Sequence, residues 1–434
     1  MREHEKIPYD SFAFQDYWGE GMRLPGQSKG LDRWFFQWQW RNSKANDDVE
    51  SDQPAVTESG YYASYVIGAQ WFDEARTMPL VVTTKQGCEH IDFLKIFSVC
   101  FNSGVEAKDF SKIYEVDMEQ PRIKAPELRS VLSPLIVAHF LSIVREIAKR
   151  GLKKDYVQRE DNLKKVKGRI AVFYNERVNI QKKRFDKVFC RYQEYSEDTV
   201  ENRLIKKALL FSQQILQVAG ISESLLPLQH TVHECLSAFA NVGDQIEVWE
   251  VKAIKHHKIF REYDDAMKLA QMILHRYDYN ITNITTAEEN YCPVFWIDMA
   301  MLYEHYVLGL LREAYGNKIL YQVHGHTGYP DFVCHSPQVV LDTKYIPRFE
   351  HDNFDTYIVR QLSGYSRDKR IFPHKSETDI PCVIIYPIEG DAENPFRGKQ
   401  LEDFLKDEDR RLWNFHKIAV PLPILNSTER VNSR

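Results

Sequence analysis

The chain has 434 residues, a formal net charge of -5, 43% hydrophobic and 27% charged residues. That balance excludes a largely disordered chain, allows two or three domains with cores of their own, and supplies no overall positive field for a nucleic acid. No run approaches the roughly 18 apolar residues of a membrane span, and MREHEKIPYDSF lacks a signal peptide's apolar stretch, so a cytoplasmic protein with no membrane contact is expected.

Along the chain, an aromatic cluster (Trp34, Phe35, Phe36, Trp38, Trp40) precedes RNSKANDDVESDQPAVTESG, whose polar composition predicts an exposed loop. YYASYVIGAQWF and MPLVVTTK are rich in β-branched and aromatic residues and predict strands through about residue 86. From HIDFLKIFSVCFN the pattern turns helical. SPLIVAHFLSIVREIAKRGL, NRLIKKALLFSQQILQVAG and REYDDAMKLAQMILHRY carry helical stripes, whereas GRIAVFYNERVN fits neither period. The stretch Lys149–Arg191 concentrates basic residues, among them Lys164, Lys165, Lys167, Arg169, Lys182, Lys183, Arg184 and Lys187. It predicts either a local positive patch or a set of solvated helix faces, with equal support for each. SEDTVENRLIKKAL, with Asn202, Arg203 and Lys206, reads as a helix capped near Ser196 or Asp198.

After Pro293, FWIDMAMLYEHYVLGLLREAYG predicts a helix, ILYQVHGH, DFVCHS and QVVLDTKYI predict strands, TYIVRQLSGYSRD a second helix, and PCVIIYPI and FHKIAVPLPIL two more strands. The order α, β, β, β, α, β, β predicts an α/β layer with a mixed sheet. The expected organisation is an α/β multidomain chain: a β-rich region over 1–125, a mainly helical middle over 126–290, and an α/β core over 291–434. Seven scattered cysteines, none in a CxxC pair, suggest neither a disulfide framework nor a zinc site.

Chemistry concentrates in YPDFVCHSPQVVLDTKYI. A hairpin through Pro337 would return Asp342 to the neighbourhood of Asp331, and strand alternation puts Asp342 and Lys344 on one face with Leu341 and Thr343 on the other. Two carboxylates form a minimal cradle for magnesium, and an adjacent lysine can orient water or neutralise transition-state charge in phosphodiester hydrolysis. The bland reading is an ion pair beside a turn aspartate, equally weighted on these residues alone. Glu304 in MLYEHYVLGL is either a third carboxylate or a solvated acid beside His305, and Gln361 and Tyr365, four apart, share a helix face.

These segments in order (SYVIGAQW, HIDFLKIF, FCRYQEYSEDTVENRLIKKAL, FWIDMAMLYEHYV, YPDFV, VVLDTKY, QLSGY and VIIYP) resemble the PD-(D/E)xK nuclease superfamily, and more narrowly the McrC family, the nuclease subunit of McrBC-type restriction systems. The resemblance runs from about Tyr61 to the C-terminus. It implies an Mg2+-dependent DNA endonuclease, with Mn2+ as an alternative ion, in which Asp331, Asp342 and Glu304 bind metal, Lys344 is the catalytic lysine, and Gln361 with Tyr365 supports the site. It further implies a C-terminal nuclease core over 291–434, double-stranded DNA as substrate, and an N-terminal region that binds a hexameric AAA+ GTPase or ATPase of McrB type. No GxxxxGK[ST] phosphate loop occurs, so nucleotide hydrolysis falls to that partner. Tyr329 and Ile346 stand where the family often has basic residues, and Asp355 is a weak substitute for the acid usually preceding the Q-x-x-x-Y element. The alternative functions are a non-catalytic adaptor that only stimulates the motor and a repair-type nuclease.

Overall fold

The computed structural model describes residues 6–8, 35–41, 57–63, 65–71, 76–77, 79–84, 88, 90–102, 113–117, 120–125, 128–218, 226–246, 261–282, 291–346, 356–374, 379–390, 393–406 and 412–424. Its contacts divide the chain into two units, Met1–Leu135 with Thr285–Arg434 and, inserted between them, Ile136–Ile284.

The first unit opens with strands β1 (Lys6–Pro8), β2 (Phe35–Arg41) and β3 (Thr57–Ala63), an antiparallel sheet ordered β1-β3-β2. Of the run expected to be a loop, residues 57–60 instead pair with residues 38–41 in that sheet; ladder hydrogen bonds override the polar composition. Residues 42–56 lie outside the described residues. The two predicted β segments become β4 (Val66–Trp71) and β5 (Pro79–Val82), followed by helix α1 (Phe93–Asn102), β6 (Tyr114–Asp117), β7 (Ile123–Lys124) and helix α2 (Arg129–Arg150), within which the unit boundary falls.

The inserted unit carries β8 (Asp155–Leu163), β9 (Arg169–Ile170), a short helix α3 (Val172–Asn175) that runs into a π-helical turn at Glu176–Ile180, and β10 (Val188–Ser196), then helices α4 (Val200–Val218), α5 (Leu226–Ala238) and α6 (Arg261–Thr282). The predicted helices are present, and the region expected to be mainly helical also holds an antiparallel sheet ordered β8-β10-β9. The segment with no clear period is β9, α3 and the π turn. Leu204, Ile205, Ala208 and Leu209 on α4 are fully buried with Ala266, Ala270 and Leu274 on α6, each large side chain contributing roughly 1.5–3 kcal/mol of burial. The helix cap is Thr199, whose hydroxyl accepts from the Asn202 amide at 3.3 Å, rather than Ser196 or Asp198. The Asp198 carboxylate is occupied by two arginines instead.

The chain returns to the first unit through β11 (Tyr291–Cys292) and β12 (Val294–Asp298). FWID, read from sequence as the start of a helix, is the centre of an antiparallel sheet ordered β5-β4-β12-β6, where both faces of Phe295–Ile297 are covered. A fully buried strand loses the period-2 signal, which explains the misreading. Helix α7 (Met299–Tyr315) starts where Asp298 accepts from the Met301 amide at 3.0 Å. Gly309 lets α7 approach α1: a Cβ there would stand 2.7 Å from Val99 Cγ1 and 2.8 Å from its carbonyl oxygen.

Beyond α7 follow β13 (Ile319–Tyr321), β14 (Phe332–His335), β15 (Gln338–Thr343), helix α8 (Thr356–Ser366), β16 (Cys382–Glu389) and β17 (Phe415–Leu422), the expected order. They build a mixed five-stranded sheet, β13-β14-β15-β16-β17, with antiparallel pairs up to β15 and parallel pairs after it. Helix α8 lies in the crossover from β15 to β16 and buries Ile358 and Leu362 against Cys382, Ile384 and Phe415. Clefts in such layers open at the carboxyl ends of parallel strands.

All seven cysteines are free and buried. No described helix is long and apolar enough to cross a membrane.

Candidate active site

The hairpin of β14 and β15 pairs Phe332 with Leu341, and the same register continued by one residue sets Asp331 opposite Asp342. Both acids therefore sit at the end of the sheet where β15 finishes. The parallel pairing of Thr343 with Ile385, extended by the Lys344 amide donating to the Ile385 carbonyl at 2.9 Å, carries Lys344 to the same rim. Glu304 comes from α7 and Gln361 from α8. All five predicted site residues, Glu304, Asp331, Asp342, Lys344 and Gln361, line one cleft of about 260 Å³ together with Asp298, Met301, Thr343 and Tyr345.

Asp342 is 1% exposed and forms an ion pair with Lys344, whose side chain is 22% exposed. Alternation along the strand thus places these two side by side as expected. One Asp331 oxygen, Oδ2, accepts from the Thr343 amide at 2.7 Å and from the Thr343 hydroxyl at 2.5 Å. Thr343 was expected to point away; it lines the cleft because it is the last strand residue, where the pleat ends. Glu304 accepts from Gln322 Nε2 at 3.0 Å, and Gln361 donates to the Tyr365 hydroxyl at 2.9 Å. His305, the suggested partner of Glu304, is buried and its Nδ1 lies 2.9 Å from the Met301 carbonyl.

The electrostatics are those of crowded anions. Burial pushes the Asp331 carboxyl well above the usual carboxylate range, the charges of Asp342 and Glu304 push it further, and the Thr343 bond and Lys344 charge pull it partly back. Burial likewise raises Asp342 against the pull of Lys344, and raises Glu304 against its bond from Gln322. For Lys344 burial works toward loss of the proton, but Asp342 more than offsets it, so the ammonium stays charged. Among the described residues that line the cleft there are four acids, Asp298, Glu304, Asp331 and Asp342, and one cation, Lys344, a surplus of negative charge that suits a divalent cation. Among the described residues no three His, Cys, Asp or Glu side chains already stand together in metal-holding geometry. The fit rests on charge and donor type: acid oxygens at one cleft are the ligands magnesium takes, usually one or two of them beside water and phosphate.

Sequence reasoning missed Thr343 and Gln322, which fix the orientation of Asp331 and Glu304. The only available signal for Thr343 was its place between Asp342 and Lys344; Gln322, in the QVHGH segment, had none. Asp355 lies outside the described residues. Tyr329 is 56% exposed with its ring edge-on to His324 at 4.7 Å.

The middle signature resolves as architecture. Arg203 Nε and Nη2 each stand 2.7 Å from Asp198, Arg159 adds a third bond at 2.8 Å, and the Gly243 amide a fourth at 2.8 Å. Asn202 donates to the carbonyls of Lys153 and Glu197 and accepts from the Tyr263 hydroxyl at 3.0 Å, while Lys206 donates to the Val242 carbonyl.

The family model described as McrBC 5-methylcytosine restriction system component matches residues 111–365, more than half of the chain and a span that holds every residue of the cleft named above. Among solved structures, the chain is similar to one in a half-complex of Thermococcus gammatolerans McrB AAA+ hexamers with bound McrC, at 16% identity over 100% of this chain and 98% of that one, with a TM-score of 0.36. It is also similar to a chain of the Thermococcus gammatolerans McrBC complex, at 14% identity over 72% of this chain and 86% of that one, with a TM-score of 0.30. No curated protein matches the chain.

Proposed function

Because the chain belongs to the family of McrBC 5-methylcytosine restriction system components, we propose that it is the DNA-cleaving subunit of such a system, a PD-(D/E)xK-type endonuclease that acts on double-stranded DNA when assembled with a McrB-type AAA+ motor. The observation that carries the reading is the cleft where Asp331, Asp342 and Glu304 gather around a single lysine.

In this reading Asp331 and Asp342, with Glu304, hold Mg2+ or Mn2+. The bound ion supplies a Lewis acid that neutralises phosphate charge and makes water more acidic. Thr343 fixes one oxygen of Asp331 and leaves the other oxygen to the cleft. Lys344, kept in its charged form by the neighbouring Asp342, orients the attacking water and offsets the negative charge that grows on the phosphorus oxygens. Gln361, set by Tyr365, offers an amide to water or a phosphate oxygen. The chain carries no phosphate loop of its own, so the motor supplies nucleotide hydrolysis and the chain stimulates it.

The test is cleavage of methylated and unmethylated plasmid by this protein with its AAA+ partner, Mg2+ and GTP or ATP, comparing wild type with Asp342→Ala. The expected result is a loss of cutting of at least about 1,000-fold, the several kcal/mol of charge stabilisation that the site supplies, with stimulation of nucleotide hydrolysis retained. Equal cutting by the variant overturns the catalytic assignment. Stimulation by both proteins with cutting by neither makes the chain an adaptor.

A further inference from the structure

Asp331 and Asp342 owe their places in the cleft to the strand ladder, whereas Glu304 reaches it from helix α7 on a longer side chain whose torsions the helix leaves free. A carboxylate that meets a cation from such a position has to be aimed by its neighbours. Gln322 Nε2 donates to Glu304 Oε1 at 3.0 Å, and the hydroxyl of the preceding residue, Tyr321, bonds the same carboxylate. Burial pushes the Glu304 carboxyl up and these two bonds pull against it, so both favour the charged form that a cation requires.

Two consecutive residues do not ordinarily serve one acid. Successive side chains of a strand point to opposite faces, and Tyr321 is the last residue of β13, opposite Phe332. Gln322 follows at φ +47°, in the left-handed region that residues with a Cβ seldom adopt. Its amide nevertheless donates to the Asp331 carbonyl at 2.9 Å, so the ladder is kept while the alternation is broken. The turn therefore delivers both side chains to Glu304 and ties them, through that amide, to the backbone of Asp331. A conformation of this kind costs free energy and persists where surrounding contacts hold it.

The Tyr321 ring is set between two buried rings. It stands edge-on to His305 at 5.6 Å between centroids and tilted against Phe332 at 6.0 Å, and those two residues are 1% and 0% exposed. His305 is itself fixed. Its Nδ1 lies 2.9 Å from the Met301 carbonyl, which can only accept, so that nitrogen carries a proton and Nε2 is left facing the Tyr321 hydroxyl at 3.5 Å. The histidine that follows Glu304 in sequence thus steadies the tyrosine that holds Glu304.

We propose that Tyr321 is a positioning residue of the metal site: with Gln322 it holds the Glu304 carboxylate toward Asp331 and Asp342, so that a divalent cation meets a prearranged helix oxygen beside the two strand acids. The inference rests on the reading of Glu304 as a metal ligand. A carboxylate presents about four lone-pair sites, so two donors leave room on it for a cation. Losing a partner that orients a ligand typically weakens metal affinity about 10- to 100-fold. The left-handed Gln322 is then the conformational cost of bringing a second donor to the same acid.

The experiment measures Mn2+ binding by the full chain alone, without DNA, nucleotide or motor, from the loss of the free ion's electron paramagnetic resonance signal. Circular dichroism and thermal melts check that each variant is folded. Tyr321→Phe removes the hydroxyl and keeps the ring, and Gln322→Gly removes the amide donor and keeps a backbone turn that glycine adopts freely. Each is expected to weaken Mn2+ binding about tenfold. Tyr329→Phe, at an exposed tyrosine of the loop that follows, is expected to bind like wild type. The comparison that separates positioning from packing uses Glu304→Ala: because Tyr321 acts through the acid, Tyr321→Phe is expected to have no further effect in that background. A full tenfold loss there, or a Tyr321→Phe protein with wild-type affinity, overturns the proposal. Asp342→Ala keeps this outcome apart from the nuclease reading. If that variant loses the ion while Tyr321→Phe keeps it, only the role of Tyr321 falls; if Asp342→Ala keeps the ion, or the wild type takes up none, the metal-binding reading of the cleft falls.

Discussion

Each unit of the molecule holds a cluster of buried acids and bases, and the two clusters are wired in opposite ways. In the inserted unit Asp198 is 7% exposed yet receives two arginines and a backbone amide. The Arg203 bonds hold its carboxyl far below the usual range against burial. In the cleft, Asp331, Asp342 and Glu304 all lie above that range because burial and mutual repulsion exceed what Lys344, Thr343 and Gln322 return. The first cluster stabilises the fold; the second stores electrostatic stress that only a cation or a proton relieves. A residue type alone would not separate them, since each is a carboxylate beside a basic side chain.

The sharpest way to break this contrast is to neutralise one acid in each cluster. Asp198→Ala removes the carboxylate that Arg159 and Arg203 share and is expected to cost about 3 kcal/mol, the scale for breaking a buried pair. Hydrogen exchange across residues 198–209 reads that loss locally. Asp342→Asn removes a carboxylate from an over-charged site and leaves Lys344 with Asp331 and Glu304 as counter-charges. Its expected cost is less than about 1 kcal/mol, or a net gain, read by exchange across 338–346. If both substitutions destabilise equally, the cleft is a structural cluster and the distinction fails.

Acidification should drive the two clusters in opposite directions. Asp198 has a folded pKa below its unfolded value near 3.8, so the folded state binds fewer protons there. Its stabilisation is complete above about pH 4 and is lost as pH falls toward the folded value. The cleft acids have folded pKa values above their unfolded ones, so the folded state binds more protons. Stability around them declines as pH rises from about 4 toward neutrality, and lowering the pH restores it. Thermal melts across pH with and without Mg2+, each compared with the Asp198→Asn or Asp342→Asn protein, isolate the two contributions. Mg2+ is expected to reduce the neutral-pH penalty of the cleft, and an Asp342→Asn melt with the wild-type pH dependence would refute the assignment of stress to these acids.

How much of this contrast was legible in the sequence differs between the clusters. The order of elements after α7 and the pairing of Asp342 with Lys344 followed from turn residues and strand period, because β14 and β15 are joined by a short hairpin and their register is local. The partners of Asp198 were hidden: Arg159 and Gly243 are 39 and 45 residues away, and only the folded ribbon and loop bring them in. The FWID strand was misread because its neighbours β4 and β6 lie more than 170 residues earlier in the chain, and burial on both faces erased its alternation. Glu304 was placed on the correct helix, but its holder Gln322 follows no pattern that a sequence exposes.

A smaller effect separates the two bonds that Thr343 gives to Asp331. Thr343→Val keeps the backbone amide bond and removes only the hydroxyl, a loss of about 1 kcal/mol. With the carboxylate less firmly oriented, cleavage should fall about fivefold to tenfold at saturating Mg2+, and the Mg2+ concentration for half-maximal cutting should rise. Thr343→Ser, which keeps the hydroxyl, should restore both. A Thr343→Val protein that cuts normally would mean that the amide alone holds Asp331.

The smallest expected effect falls on Gln361, whose hydrogen-bond partner is a neutral group. Its amide is tied to the Tyr365 hydroxyl, and Tyr365 is itself packed with Val333, Val340 and Ile371, so the helix keeps the tyrosine in place without the bond. Gln361→Ala therefore removes one neutral hydrogen bond and one donor facing the cleft, and cleavage should drop only about threefold. Tyr365→Phe removes the bond but leaves the amide free to turn, so its effect should be smaller still. If instead Gln361→Ala matches the loss at Asp342, the amide contacts a group that becomes charged during the reaction, and the division between charge-bearing acids and their neutral supports would have to be redrawn.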